Sequence, residues 1–147
     1  MVEINSVEAK TYCHATEDEE RVVRALLNLF PEELRSSIRI VKTIVKGHYG
    51  NPIKILRVVV SGSKASKVVE YIGSRVSSIE KSVIRASLGI RFDNRNRRLY
   101  IRFDKQELYK GNLVVSDSDD IVHLVISFKG RARLEDIEKL LVEKGFL

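Results

Sequence analysis

Tyr100 and Arg102 alternate with Leu99, Ile101 and Phe103. A strand through these residues turns its apolar side chains to one face and the phenol and guanidinium to the other. Arg91 alternates in the same way with Leu88, Ile90 and Phe92, and Arg95, Arg97 and Arg98 occupy the turn between the two segments. Arginine beside tyrosine on a sheet surface is chemistry that holds single-stranded RNA. Guanidinium groups pair with phosphate and stack on bases, while phenol rings give bases a platform. Arginines at an exposed hairpin tip are also placed to grip phosphates or reach into a groove. Each sheet residue taken singly is better read as a solvated position on a one-sided sheet, and the tip arginines equally well as a solvated turn. The RNA reading rests on their clustering.

That clustering is uneven along the chain. Residues 38–67 carry Arg39, Lys42, Lys46, Lys54, Arg57, Lys64 and Lys67 and no acid, a net +7, and residues 85–110 carry a net +5. Residues 16–36 are acidic, at −3, within a chain whose overall charge is +6. A basic surface of this kind points to a polyanionic partner.

Catalytic chemistry finds less support. His14, His48 and His123 are the only histidines and Cys13 the only cysteine, with no H-x-x-x-H or H-E-x-x-H frame among them. A disulfide within the chain and a Cys-based zinc site are both excluded, and no metal or cofactor is expected. Phosphate-loop, dinucleotide-binding and nucleophile-elbow motifs are absent. Cys13 and His14, adjacent on a strand, would point to opposite faces and so could not easily act as a nucleophile–base pair. The Asp117, Asp119, Asp120 turn lacks the full spacing of a calcium loop and reads as a solvated acidic turn. The expectation is a protein that is not an enzyme.

The elements that must position these residues can be read from periodicity. Residues 3–14 suit a first strand. Thr16 and Glu19 form a capping-box pattern ahead of a helix whose apolar stripe is Val22, Leu26, Leu29 and Phe30. Residues 38–46 and 53–60 are β-branched segments joined by a turn-forming stretch at 47–52, a first basic hairpin. Ser63 opens a second helix through Val76, with a break near Ser77 and Ser78. The segments at 88–92 and 99–103 form a second hairpin. Leu113–Val115 and Ile121–Phe128 read as two further strands, and 133–143 as a closing helix. No repeat is visible. The fold class expected is α+β: an antiparallel sheet built from hairpins with helices packed on one face, in a single domain over residues 1–147.

The chain holds 147 residues with 44% hydrophobic and 31% charged, enough to build a core beneath a solvated surface. The first residues lack the basic and apolar regions of a signal peptide, and no apolar run approaches the roughly 20 residues of a membrane helix. With a lone cysteine, this fits a soluble protein of a reducing cytoplasm, with no membrane partner.

Three phrases then coincide: CHATEDEERV (Cys13–Val22), GHYGNPI (Gly47–Ile53) and LYIRFDKQELYKG (Leu99–Gly111). Together they resemble the archaeal family of predicted exosome-associated RNA-binding proteins, whose fold is similar to that of the large-subunit ribosomal protein that binds 5S rRNA. The resemblance spans nearly the whole chain. It implies an archaeal source, an RNA-binding α+β domain and a link to RNA processing, with exosome or ribosome-related proteins as further partners. The motif residues carried over are His14, Thr16 and Glu17; His48, Tyr49, Gly50 and Asn51; and Arg102, Asp104, Lys105 and Gln106. Thr16 reads as a helix cap, Gly50 and Asn51 as turn formers, and Asp104 as a loop-shaping acid. His48, Tyr49, Arg102, Lys105 and Gln106 join Arg91, Arg95, Arg97, Arg98 and Tyr100 as the expected RNA contacts. The alternative is a protein-interaction adaptor whose basic face docks an acidic protein.

Overall fold

A computed structural model describes residues 1–47 and 49–147; His48, one of the expected RNA contacts, lies outside the described residues. Six strands, β1 (Glu3–Cys13), β2 (Val41–Lys46), β3 (Pro52–Ser61), β4 (Phe92–Asp93), β5 (Arg98–Asp104) and β6 (Ile121–Lys129), form one sheet in the order β2-β3-β1-β6-β5-β4. Every pairing is antiparallel. The helices are α1 (Glu19–Leu27), α2 (Glu32–Arg35), α3 (Ser63–Arg75), α4 (Ser78–Ala86), α5 (Leu88–Arg91), α6 (Lys105–Tyr109) and α7 (Leu134–Glu143). The α+β class with its antiparallel sheet is as the periodicity indicates.

Strand alternation sets the two faces of the sheet. Val7, Ala9, Thr11 and Cys13 of β1 lie in register with Val60, Val58, Leu56 and Lys54 of β3. On the other side, Val7, Ala9 and Thr11 lie in register with Ile126, Leu124 and Val122 of β6, which in turn oppose Leu99, Ile101 and Phe103 of β5. The apolar members of this face are buried in one cluster with Val22 and Leu26 of α1, Val68 and Ile72 of α3, Ile84 of α4, Leu108 of α6 and Ile137 and Leu141 of α7. The opposite face carries no helix packing of this kind. None of the described helices is long and apolar enough to cross a membrane.

Several elements depart from the sequence expectation. Leu88–Arg91 is a helical turn, not a strand, so the second hairpin pairs only Phe92 and Asp93 with Leu99 and Arg98. Leu88 and Phe92 are buried and Ile90 is 91% exposed, the pattern of an i, i+4 pair on one helix face. A three-residue alternation is too short to separate the two periods. Val115 makes a single bridge to Phe103 and the 113–115 segment is no strand.

The first basic strand begins at Val41, and all six of its residues are exposed, because the helices do not extend over this edge. At α1 the cap is Asp18, whose carboxylate accepts from the Glu20 N–H, and not Thr16. Glu17 instead accepts from the His14 N–H, and its own N–H donates to the His14 carbonyl, a turn that pushes the helix start past Thr16. Gly62, at φ 68°, takes the capping position expected of Ser63. The reversal from β3 into α3 needs a left-handed residue there.

Candidate nucleic-acid interface

The helix-free face is organised in rows that cross the strands. One row runs Arg102–His123–Lys10–Arg57–Val41, each residue the register partner of the next, from β5 through β6, β1 and β3 to β2. Neighbouring strands lie about 4.8 Å apart, so three cations and an imidazole line up across most of the sheet. The next row runs Tyr100–Val125–Glu8–Val59. On the opposite side of the cationic row Tyr12 faces Ile55, which in turn faces Thr43. Tyrosines therefore flank the row on both sides.

The side chains are ordered by one another. The rings of Tyr100 and His123 stack with centroids 5.6 Å apart and 7° between planes. Lys10 Nζ stands 5.9 Å from the centroid of Tyr12, which is 42% exposed. Arg102 donates from Nη2 to the Ser118 carbonyl at 2.7 Å, while its Nε is buried with no hydrogen-bond partner. A buried guanidinium N–H left unmatched is costly and unusual. Lys10, Tyr12, Arg102, Ile121 and His123 together line a depression of about 200 Å³. Burial holds the His123 imidazole below its ordinary value, and Lys10 and Arg102 lower it further against the opposing pull of Glu8. The ring is thus neutral at pH 7. Arg57 is engaged by Glu8 on the same face.

The sequence-expected residues divide into groups. Tyr100 and Arg102 sit together on this face, and Arg98 joins them at the start of β5, opposite Ser127. Arg91 does not: it ends α5 and donates from Nε to Ser87 Oγ at 2.6 Å, because its segment is helical. Arg95 and Arg97 lie in the β4–β5 turn, which Asp93 organises by accepting from the N–H groups of Arg95 and Asn96. Arg97 reaches the Gly130 carbonyl from Nη1 at 2.9 Å. Tyr49, 88% exposed, lies in the β2–β3 connection at the far edge of the sheet.

Lys105 and Gln106 belong to a different environment. Lys105 is only 4% exposed; its ammonium donates to the Tyr12 carbonyl at 2.7 Å and pairs with Glu17 at 3.2 Å and Asp120 at 3.1 Å. Gln106 donates to the second Asp120 oxygen at 2.9 Å. Burial works against the Asp120 carboxylate, but these two donors hold it below the usual range. Lys105 thus ties the end of β1 and the turn before α1 to the start of β6.

Lys10, Tyr12 and His123 were not singled out by sequence spacing. The signal was present: Lys10 and Tyr12 fall out of phase with Val7, Ala9 and Thr11, and His123 with Val122 and Leu124. Strand geometry sets Cys13 aside as a nucleophile. Cys13 is buried, and burial first, then Glu17 and Glu19, pushes its thiol up, away from a reactive thiolate. No group of three or more His, Cys, Asp or Glu side chains able to hold a metal occurs among the described residues.

The chain was compared with known proteins. A family model described as RNA binding matches residues 6–128. An RNA-binding protein of Pyrococcus abyssi is 31% identical over 132 residues, covering 87% of this chain and 84% of the relative. An uncharacterised protein of Methanocaldococcus jannaschii is 36% identical over 129 residues, covering 86% and 85%. Among solved structures, a DUF54 protein from Archaeoglobus fulgidus superposes with a TM-score of 0.81 at 28% identity, covering 97% of this chain and 99% of that one. The extent of the family match and the 31% and 36% identities of these archaeal relatives place the chain in that archaeal RNA-binding family.

Proposed function

We propose that this chain is a non-catalytic protein that lays single-stranded RNA across the helix-free face of its sheet. The observation that carries the reading is the row Arg102–His123–Lys10–Arg57 flanked by Tyr12 and Tyr100. In it the cations contact phosphates, and the exposed Tyr12 ring and the Tyr100–His123 stack support unpaired bases. The Arg102 guanidinium, held in place by the Ser118 carbonyl, offers a planar fork of donors to a phosphate or base. Arg98, Arg95 and Arg97 extend the track beyond β5 as phosphate contacts. Tyr49 would meet RNA at the opposite edge and Gln106 at the mouth of the Lys105 cluster, and the resemblance adds His48 as a further contact. The family resemblance adds the finer reading, a role in RNA processing alongside exosome or ribosome-related RNA, and the lone cysteine adds a reducing cytoplasm.

Fluorescence anisotropy with labelled single-stranded RNA, duplex RNA and single-stranded DNA over a salt series tests the proposal. Tight binding that prefers single-stranded RNA and is lost in the Lys10→Ala/Arg102→Ala variant supports it. Weak binding equal for all three nucleic acids and unaffected by the two substitutions overturns it.

A further inference from the structure

The helix-free face is not uniform. Across β1, β6 and β5 it is cationic and aromatic, but over β2 and β3, apart from Arg57 in its ion pair with Glu8, it turns apolar. Val41, Thr43 and Val45 share this face with Ile53, Ile55 and Val59, and Val41, Val45 and Val59 are 51%, 39% and 49% exposed. Contiguous exposed apolar surface on a soluble domain marks a contact with another macromolecule. The apolar strip ends at an edge. Among the described residues β2 pairs only with β3, so one side of a six-residue strand offers its backbone N–H and C=O groups outward. The other edge strand, β4, is two residues long and offers little.

Edge strands are commonly guarded by lysine. Here the guard faces the wrong way. Lys42, Ile44 and Lys46 project to the helix side, where Lys42 and Lys54 both grip Glu19 at 2.6 Å and hold its carboxyl down to about 2. The helix-free side of β2 is left with valine and threonine alone. Residues 38–67 contain seven basic residues and no acid, so a second copy placed against β2 would bring like charge to like. RNA gains little from valine side chains and cannot complete a β ladder.

We infer that β2 accepts an extended acidic segment of a partner protein as a seventh strand. Its apolar residues would alternate onto Val41, Thr43 and Val45, and its Asp or Glu side chains would fall on the Lys42 and Lys46 side. Main-chain bonds then supply affinity and the alternation supplies selectivity. This site meets the cationic row only at Val41, the register partner of Arg57, and otherwise lies on the other half of the sheet.

The probe is a labelled peptide of about ten residues with Val or Thr at every second position and Glu between, set against its Lys counterpart. Binding is read by anisotropy and by amide hydrogen exchange. The expected result is salt-sensitive binding of the Glu peptide alone, with new protection confined to β2. In the Val41→Glu/Val45→Glu variant its affinity falls by at least about tenfold while that for the Lys peptide rises. Both substituted positions are exposed, so unchanged circular dichroism controls for folding. Three results overturn the inference: no protection of β2 by the Glu peptide, equal binding of both peptides, or protection of β2 by single-stranded RNA or by self-association instead.

Discussion

The His123 imidazole lies flat against the Tyr100 phenol, 7° from parallel, between the cations Lys10 and Arg102 that are its neighbours across the strands. This stack is a neutral surface inside a positive row. Burial, with Lys10 and Arg102, holds the imidazole below the ordinary histidine value of 6.5, so the folded state binds its proton less tightly than the unfolded chain does. Stability from this group is complete above pH 6.5 and declines as pH falls through and below that value toward the lowered folded pKa. The wild type should therefore lose more stability between pH 7 and pH 5 than His123→Gln, as read by urea midpoints at each pH. Bound RNA phosphates would raise the same group, so RNA should bind more tightly as pH falls over this range, and the variant should lose that dependence.

Arg102 should be the most sensitive position of the cationic row, because the Ser118 carbonyl fixes its guanidinium in place while Arg57 is already paired with Glu8. Arg102→Ala is expected to weaken single-stranded RNA binding and to reduce the slope of log affinity against log salt by about 1. Arg102→Lys keeps the charge but loses the fork, and should recover the slope without recovering full affinity. Both quantities come from one anisotropy salt series.

Lys105 is expected to matter for folding more than for binding. Removing its ammonium leaves the Glu17 and half-exposed Asp120 carboxylates without their shared cation, held only by the His14 N–H and the Gln106 amide, and takes the lysine donor from the Tyr12 carbonyl. Lys105→Ala should destabilise the chain by about 2–4 kcal/mol, measured by denaturant unfolding. The folded fraction of that variant should still bind RNA within a factor of about two to three of wild type, well under 1 kcal/mol.

Gly73 supplies a packing test. A Cβ there would collide with the backbone of Gly145 and Phe146, where the C-terminal residues cross α3. Glycine-to-alanine in a helix interior ordinarily stabilises. Here Gly73→Ala should destabilise by about 1–3 kcal/mol through overpacking, visible as a lowered thermal midpoint. The exposed substitution Lys67→Ala in the same helix should leave the midpoint unchanged.

The sequence made the long periodic elements legible. The apolar positions of α1 and α3 and the alternation of β1, β3 and β5 are the ones that are buried, and the outward placement of Tyr100 and Arg102 follows from period 2 alone. What it could not show is adjacency. Lys10 and His123 become neighbours only because β6 returns beside β1, a choice of strand order that no local pattern encodes. The two basic hairpins likewise end at opposite edges of the sheet, and Lys42 and Lys54 on the first of them are bound to Glu19 on the helix side. Lys105 illustrates a different loss. A lysine at the head of a polar motif looks solvent-facing until its carboxylate partners, one on each side in sequence, close over it.

The centre of the sheet has a consequence for how the chain is made. β1 leaves the ribosome well before β6, which is one of its two neighbours, and the Thr11 hydroxyl waits for the Ile121 carbonyl 110 residues later. Until β6 is synthesised, the nascent β1–β3 pair has one open flank with Val7 and Ala9 uncovered on that side. Premature termination near residue 120 would thus release a sticky half-sheet instead of a smaller working domain. Folding should be slow for a domain of this size, since the β1–β6 pairing joins segments more than 100 residues apart.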